Sequence, residues 1–285
     1  MVRFAKMVYP DYDIYEKSGY PAGHPIANQD AASRIATDML QDGYYVDFVE
    51  VLIKINSEGY MGRRYSLRGL DDVIGDVINV GYSYDNTTSQ FFENQRERIT
   101  RNWGRLYDGD ERQMAVLRLD IAGNSILVKE NPRPQIEKAY GDLRKIVTKA
   151  VVSRLGRLWT WEGDGALGAF MLGSYSRMAI FAGMDILNEL FLYNKTANPL
   201  NSEIKIRLSV HSGHVVYSES ESECLKEDTV KKAITLESKA AVPNSMVISN
   251  SLAVTQDQAL LNIFSLEKNV SAEKYRIYQV NQERS

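Results

Sequence analysis

From Met114 onwards the hydrophobic period of the chain changes in an order that few folds accommodate. "MAVLRLDI" alternates apolar and polar residues, as a strand covered on one face does. "PQIEKAYGDLRKIVTKAVVSRLG" then places Ile136, Leu143, Ile146, Val147 and Ala150 at helical spacing, with Gly156 as the predicted C-terminal stop. "RLWTWEG" and "ALGAFML" read as short strands either side of Asp164-Gly165, a hairpin loop in which glycine supplies the positive φ. "SRMAIFAGMDILNELFLYN" is an apolar helix. "IKIRLSVHSGHVVY" reads as two strands about a tight turn at Ser212-Gly213, and "DTVKKAITLESKA" as a helix. "SMVISN" and "EKYRIYQV" are further strands. Strand, helix, hairpin, helix, strand is the order of a ferredoxin-like βαββαβ core, here with additions, so the fold class expected is α+β.

The earlier part has another texture. Eleven of the 17 tyrosines precede residue 110, among turn-rich pieces such as "YPDYDIYEKSGYPAGHP" and "GYSYDNTTSQ". Helices are predicted near Asn28–Gln41 and Leu70–Ile78, and a strand pair around Tyr44–Ile55 and Tyr60–Leu67. "FFENQRERITRNWGRLY" reads as a polar helix and "DGDERQ" as a charged linker. A chain of 285 residues has room for one large domain or two. The change of texture divides it into an irregular N-terminal extension over 1–110 and a regular domain over 111–285.

Charge and cysteine usage narrow the function. A net charge of −3 argues against general nucleic-acid binding, and Glu93 and Glu97 interrupt the basic run around "NQRERITR". The single cysteine, Cys224, forms no intrachain disulfide, so a reducing cytoplasm is the expected setting. The N-terminus lacks the apolar run of a signal peptide. Asp185, Asn188 and Glu189 break the longest apolar stretch, around Met178 to Tyr193, below the roughly 20 residues that span a bilayer.

The acidic residues carry the chemical question. In a ferredoxin-like sheet the first and third strands are neighbours, so Asp120, ending the first, and Asp164, in the hairpin before the third, can meet at one edge. Two close carboxylates repel unless they share a proton or a cation. Oxygen donors of this kind suit Mg²⁺ or Mn²⁺, and two such ions could activate an attacking oxygen and stabilise a leaving pyrophosphate. In "IAGNS", Gly123, Asn124 and Ser125 can present backbone N–H groups to a phosphate where a helix begins. On pattern alone a plain hairpin residue and a plain strand-end residue fit Asp164 and Asp120 as well. His211, His214 and Cys224 do not complete a zinc set. Cys224 by itself is a small buried apolar residue by default. Trp159 and Trp161, two apart on one face of a strand, read as packing residues.

Taken together, "LRLDIAGNS", "GRLWTWEGDGALGAF", "IRLSVHSGHVV" and "CLKEDTVKKAITLESKA" follow one another as in the catalytic domain of class III nucleotidyl cyclases. The resemblance covers about Met114 to Val280. The long N-terminal region joined to "WEGDG" is similar to the bacterial pyrimidine cyclases of Pycsar antiphage defence. The resemblance implies that Asp120 and Asp164 hold two Mg²⁺ or Mn²⁺ ions with help from the Ile121 carbonyl. It implies that Gly123 to Ser125 receive the triphosphate and that His211 is the recurrent histidine of its motif. Family members are dimers with composite sites, one subunit supplying the metal pair and its partner the groups for ribose and transition state. In the family two positions help choose the base, and the resemblance places Thr160 and Cys224 there. A hydroxyl can donate or accept, so Thr160 can meet the O4 of uracil or the N4 amine of cytosine.

Two positions depart from the family. Lys231 stands where the ribose-positioning Asn is usual, and Thr235 where an Arg stabilises charge on the phosphate. Lys231 is therefore a candidate catalytic residue, with Arg96, Arg98 and Arg101 as candidate substitutes for the missing Arg, although a solvated helix face is the default reading of each, while Lys268 and Lys274 read by default as exposed lysines with no part in triphosphate binding. The function expected is conversion of a pyrimidine nucleoside triphosphate, UTP ahead of CTP, to its 3′,5′-cyclic monophosphate and pyrophosphate. The Pycsar resemblance adds a bacterial cytoplasm, an antiviral messenger role and a separate effector activated by the cyclic nucleotide. The competing expectation is a degenerate homologue that only binds nucleotide or dimerises.

Overall fold

The computed structural model describes residues 2–19, 21–94, 99–265, 268–270 and 273–280. It divides into two compact units, Met1–Arg98 and Ile99–Ser285.

The first unit is mainly helical. Helices α1 (Val2–Ala5), α2 (Ile14–Ser18), α3 (Asn28–Gln41), α4 (Tyr45–Glu58) and α5 (Leu70–Asn79) precede an antiparallel ribbon of β1 (Tyr82–Asp85) and β2 (Gln90–Glu93). The strand pair expected after Tyr44 is not there: α4 is a helix, and Tyr60–Leu67 is a turn and coil closed by reciprocal hydrogen bonds between Tyr60 and Arg63. Phe48 and Ile55 of α4 pack with Phe4, Tyr12, Ile35 and Met39, while Val49 and Ile53 pack with Leu70, Val77 and Phe91. A helix buried on two sides carries a nearly continuous apolar run, and its β-branched residues mimic a strand until packing overrides propensity. The polar helix expected over "FFENQRERITRNWGRLY" is also absent where the chain is described. Phe91 and Phe92 lie in β2, Arg101–Arg105 is turn around buried Trp103, and residues 95–98 lie outside the described residues.

In the second unit β3 (Glu111–Ile121), α6 (Asn124–Glu130), α7 (Arg133–Ser153), β4 (Arg157–Glu162), β5 (Gly165–Phe170), α8 (Tyr175–Thr196) and β6 (Ile206–Val216) follow one another. After them come α9 (Glu221–Cys224), α10 (Asp228–Ala240), β7 (Ser245–Ser249), α11 (Asn250–Ala253), α12 (Gln258–Leu261), β8 (Lys268–Val270) and β9 (Glu273–Gln279). The sheet runs β4-β5-β3-β6-β7-β9-β8, and its first four strands have the ferredoxin-like order expected of βαββαβ. Period-2 alternation sorts the faces. Ala115, Leu117, Leu119 and Ile121 of β3 share a core with Leu143 and Val147 of α7 and Ile180 and Leu187 of α8. On β6 the intervening Ser209 donates its hydroxyl to the Ala233 carbonyl of α10 at 2.7 Å.

Four local expectations change. The two strands expected around Ser212-Gly213 are one, with Gly213 opposite Met114 in mid-ladder. That glycine is required by space: a Cβ there would lie 2.6 Å from Thr229 Oγ1. The "DGDERQ" linker is partly strand, since Glu111 and Arg112 pair with Val216 and Val215. The hairpin loop is Gly163-Asp164 rather than Asp164-Gly165, with Gly163 at φ +56, the conformation a tight hairpin asks of its first loop residue. A bulge between Leu158 and Thr160 separates the tryptophans. Trp161 packs with the α7–α8 core, whereas Trp159 meets Trp103 and Tyr217 edge to face. Beyond these, α7 ends at Ser153, and Leu155, at φ 62, takes the left-handed position in place of Gly156.

Candidate active site

The sheet register brings the two predicted carboxylates together. Asp120 stands opposite Gly165 of β5 on one side and Arg207 of β6 on the other. The Ile121 N–H donates to the Asp164 carbonyl at 3.1 Å, which ties the hairpin loop to the end of β3. The Ile121 side chain itself is buried in the core.

Asp120 is held by charge. Its Oδ2 accepts from the Arg207 guanidinium, whose Nε lies 2.7 Å from Glu237 Oε1 of α10. Burial pushes the Glu237 carboxyl up; the Arg207 charge pulls it back and the Asp120 charge adds to the rise. Burial opposes the Arg207 cation, but the Asp120 hydrogen bond and the two carboxylate charges hold its pKa above the usual value. Arg118, two residues before Asp120 and on the same face, adds a further positive charge toward Glu237.

Asp164 is held by dipoles. Asn124, the first residue of α6, donates its amide to Asp164 Oδ2 at 2.8 Å. Its amide oxygen accepts from the Tyr140 hydroxyl of α7. Burial and the Asp164 charge raise the Tyr140 pKa, so the phenol stays protonated. Gly123 opens α6 at φ 73, and Ser125 is exposed in its first turn.

The remaining candidates are dispersed. Lys231 is 58% exposed on α10, pairs with Asp228 at 3.6 Å and makes no contact with either site aspartate among the described residues. Thr235, one turn further on, is exposed. Thr160 is buried in β4 opposite Leu167. Cys224 is fully buried, its thiol donates to the Ser218 carbonyl at 3.1 Å, and burial raises its pKa. Arg101 donates to the Glu219 carbonyl at 3.0 Å, and its own carbonyl accepts from Trp159 Nε1. Arg96 and Arg98 lie outside the described residues, as does the side chain of Lys268.

His211 shares a 2.8 Å hydrogen bond with Ser249 and lines a cleft of about 710 Å³ with His214, Lys232 and Lys274. A second cleft of about 550 Å³, lined by Tyr175, Arg177 and Gln256, adjoins it at Ser212 and Gly213. Both lie toward the far end of β3 from Asp120, beside positions four to seven residues away, roughly 13–23 Å at the rise of a strand. Within one chain the carboxylate pair thus stands at the opposite end of the sheet from these clefts.

The donor set fits hard divalent cations. Asp120 and Asp164 offer carboxylate oxygens from adjacent strand ends, and Mg²⁺ is commonly held by one or two carboxylates completed by water and phosphate oxygens. No group of three or more His, Cys, Asp or Glu side chains placed to hold a metal occurs among the described residues, so the set is this pair.

Sequence reading did not single out Arg207, Glu237, Arg118 or Tyr140. Only the ladder register sets Arg207 against Asp120, and the two lie 87 positions apart.

No protein-family model and no curated protein matches the chain. Solved structures do. A double-mutant form of the guanylyl cyclase domain of the RhoGC fusion protein from the aquatic fungus Blastocladiella emersonii matches with a TM-score of 0.51 and 16% identity, over 60% of this chain and 97% of that one. The adenylate/guanylate cyclase/hydrolase from Silicibacter pomeroyi matches with a TM-score of 0.50 and 18% identity, over 60% of this chain and 99% of that one. The chain therefore contains an α+β unit with the fold of adenylate and guanylate cyclase catalytic domains.

Proposed function

We propose that this protein is a nucleotidyl cyclase acting on a pyrimidine nucleoside triphosphate, UTP ahead of CTP. The observation that carries the reading is the meeting of Asp120 and Asp164 at adjacent strand ends of a cyclase-type sheet. The cyclase names of its structural neighbours support the reaction class. The ribose 3′-oxygen attacks the α-phosphorus, a new P–O bond forms, the α–β bridging bond breaks, and pyrophosphate leaves as the hydroxyl proton passes to solvent. Two Mg²⁺ or Mn²⁺ ions held by Asp120, Asp164 and the Ile121 carbonyl would supply charge neutralisation and a lowered 3′-hydroxyl pKa.

The chain's own groups do the rest. Gly123, Asn124 and Ser125 receive the polyphosphate at the start of α6. Arg207, which now balances Asp120, keeps a cation beside that carboxylate. Lys231 acts across a homodimer interface on the partner's carboxylate pair. Its exposure on α10 leaves it open to a partner subunit. Thr160 and Cys224, at the two base-selecting positions of the family pattern, choose the base. Thr160 has no charge with which to select a purine in the family manner, and a guanine left without an acidic partner would lose roughly 1–3 kcal/mol. The product would be a cyclic pyrimidine nucleotide read by a separate effector in antiviral defence within a bacterial cytoplasm, a role that rests on the Pycsar resemblance.

The substitutions at Lys231 and Thr235 favour a second reading, a homologue that binds nucleotide without turning it over. Pyrophosphate release separates the two. Purified protein with Mn²⁺ and each of the four triphosphates should release it with UTP or CTP; no release with any of the four would overturn the enzyme reading.

A further inference from the structure

We propose that Tyr140 and Asn124 are positioning residues: through the Tyr140–Asn124–Asp164 hydrogen-bond chain they hold the Asp164 carboxylate in place for a divalent cation. This rests on the metal reading given above and assigns to the Asn124 side chain a task other than contact with phosphate.

The donors and acceptors of the chain leave only one arrangement. An ionised carboxylate only accepts, so Asn124 must turn its NH₂ toward Asp164 Oδ2, as it does at 2.8 Å. The amide oxygen then faces the other way and needs a donor, which the Tyr140 hydroxyl provides. Turning the amide over would set its oxygen against a carboxylate, at the cost of the hydrogen bond and with added repulsion. Tyr140 thus selects the useful orientation of Asn124. Its ring is anchored against the core on α7, so three elements meet at this chain: α7, α6 and the β4–β5 loop. Among the described residues no other side chain bonds the Asp164 carboxylate. The holder is also neutral. A lysine or arginine would fix the carboxylate equally well but would cancel the charge that draws a cation. Groups that orient a ligand from behind in this way commonly change metal affinity or activity by about 10- to 100-fold when removed.

Mn²⁺ binding without nucleotide, read by electron paramagnetic resonance of the free ion, tests the inference apart from turnover. Tyr140→Phe, which removes one oxygen, should weaken Mn²⁺ binding by about tenfold. Asn124→Leu should weaken it at least as much. The double variant should be no worse than Asn124→Leu alone, because Tyr140 acts only through Asn124. Melting curves report folding; should Tyr140→Phe melt early, Asn124→Leu at the start of α6 carries the test alone. Wild-type Mn²⁺ affinity in either single variant, or additive losses in the double, would overturn the relay. Absence of Mn²⁺ binding by the wild-type protein would instead overturn the metal reading beneath it, before any variant is made.

Discussion

Asp120 and Asp164 sit a few ångströms of backbone apart, yet the two regions that hold them work by different physics. On the β6–α10 side, Asp120 is gripped by an ion-pair chain, Arg207 to Glu237, with Glu237 only 4% exposed. On the α6–α7 side, Asp164 is held by the Asn124 amide, which the Tyr140 phenol orients, and no cationic side chain bonds it among the described residues. The first arrangement sets one guanidinium between two carboxylates, so Asp120 already has a resident counter-charge. The second secures geometry alone and leaves a net negative group facing outward. A cation arriving at the pair therefore meets one carboxylate with a resident partner and one without.

Removing either carboxylate breaks the comparison most severely. Asp120→Ala and Asp164→Ala should each lower cyclisation at least about 100-fold, as the loss of groups that stabilise developing charge does. Melting should hardly change, since Arg207 keeps Glu237 in the first variant and the Asn124 amide turns to solvent in the second. Steady-state kinetics beside thermal melts checks both halves, and activity retained in either variant would show that the metal assignment is wrong.

Removing Arg207 sharpens the contrast through stability. Arg207→Ala leaves Glu237 buried beside Asp120 with its principal counter-charge gone. Breaking a buried pair from one side costs about 3–5 kcal/mol, and the partial exposure of Arg207 brings the expected loss nearer 2 kcal/mol. The sign with pH follows from Glu237, whose folded pKa lies above its unfolded value. Such a group contributes stability below its unfolded pKa and loses it as pH rises through the folded one, and removing Arg207 raises the folded pKa further. Chemical denaturation should therefore show a larger deficit at pH 7 than at pH 5. Tyr140→Phe offers no buried charge to uncover, so its stability change should be small and pH-independent over the same range.

How much of this was readable beforehand follows from particular residues. Asp120 and Asp164 were legible because alternation along "MAVLRLDI" and a glycine hairpin place them by local rules, and the βαββαβ order makes their strands neighbours. Asn124 was singled out for its backbone, while in the structure its side chain is the group that bonds Asp164. Arg207 and Glu237 were not legible, since a register between β3 and β6 is a property of the assembled sheet. Gly213 looked like a turn because nothing local reveals Thr229 packed against it. The helix α4 looked like a strand because its two buried sides erased the helical period.

The smallest effect concerns which half-site each group belongs to. On the proposed dimer the charge-held and dipole-held aspartates would form one half-site and Lys231 would belong to the other. Mixing Asp120→Ala with Asp164→Ala protein should restore nothing. Mixing either with Lys231→Ala should restore roughly a quarter of wild-type turnover, since random exchange makes half the dimers mixed and each mixed dimer has one intact site of two. Full activity of Lys231→Ala alone, or no recovery although subunits exchange, would contradict the composite arrangement.

The most direct test of the central claim is the identity of the product. Wild-type protein with Mn²⁺ and an equimolar mixture of ATP, GTP, CTP and UTP should yield a cyclic pyrimidine nucleotide as the main species on chromatography, with cyclic UMP ahead of cyclic CMP. Cyclic AMP or cyclic GMP as the main product would contradict the choice of base, and no cyclic nucleotide from any of the four would contradict the account of the site as a cyclase centre.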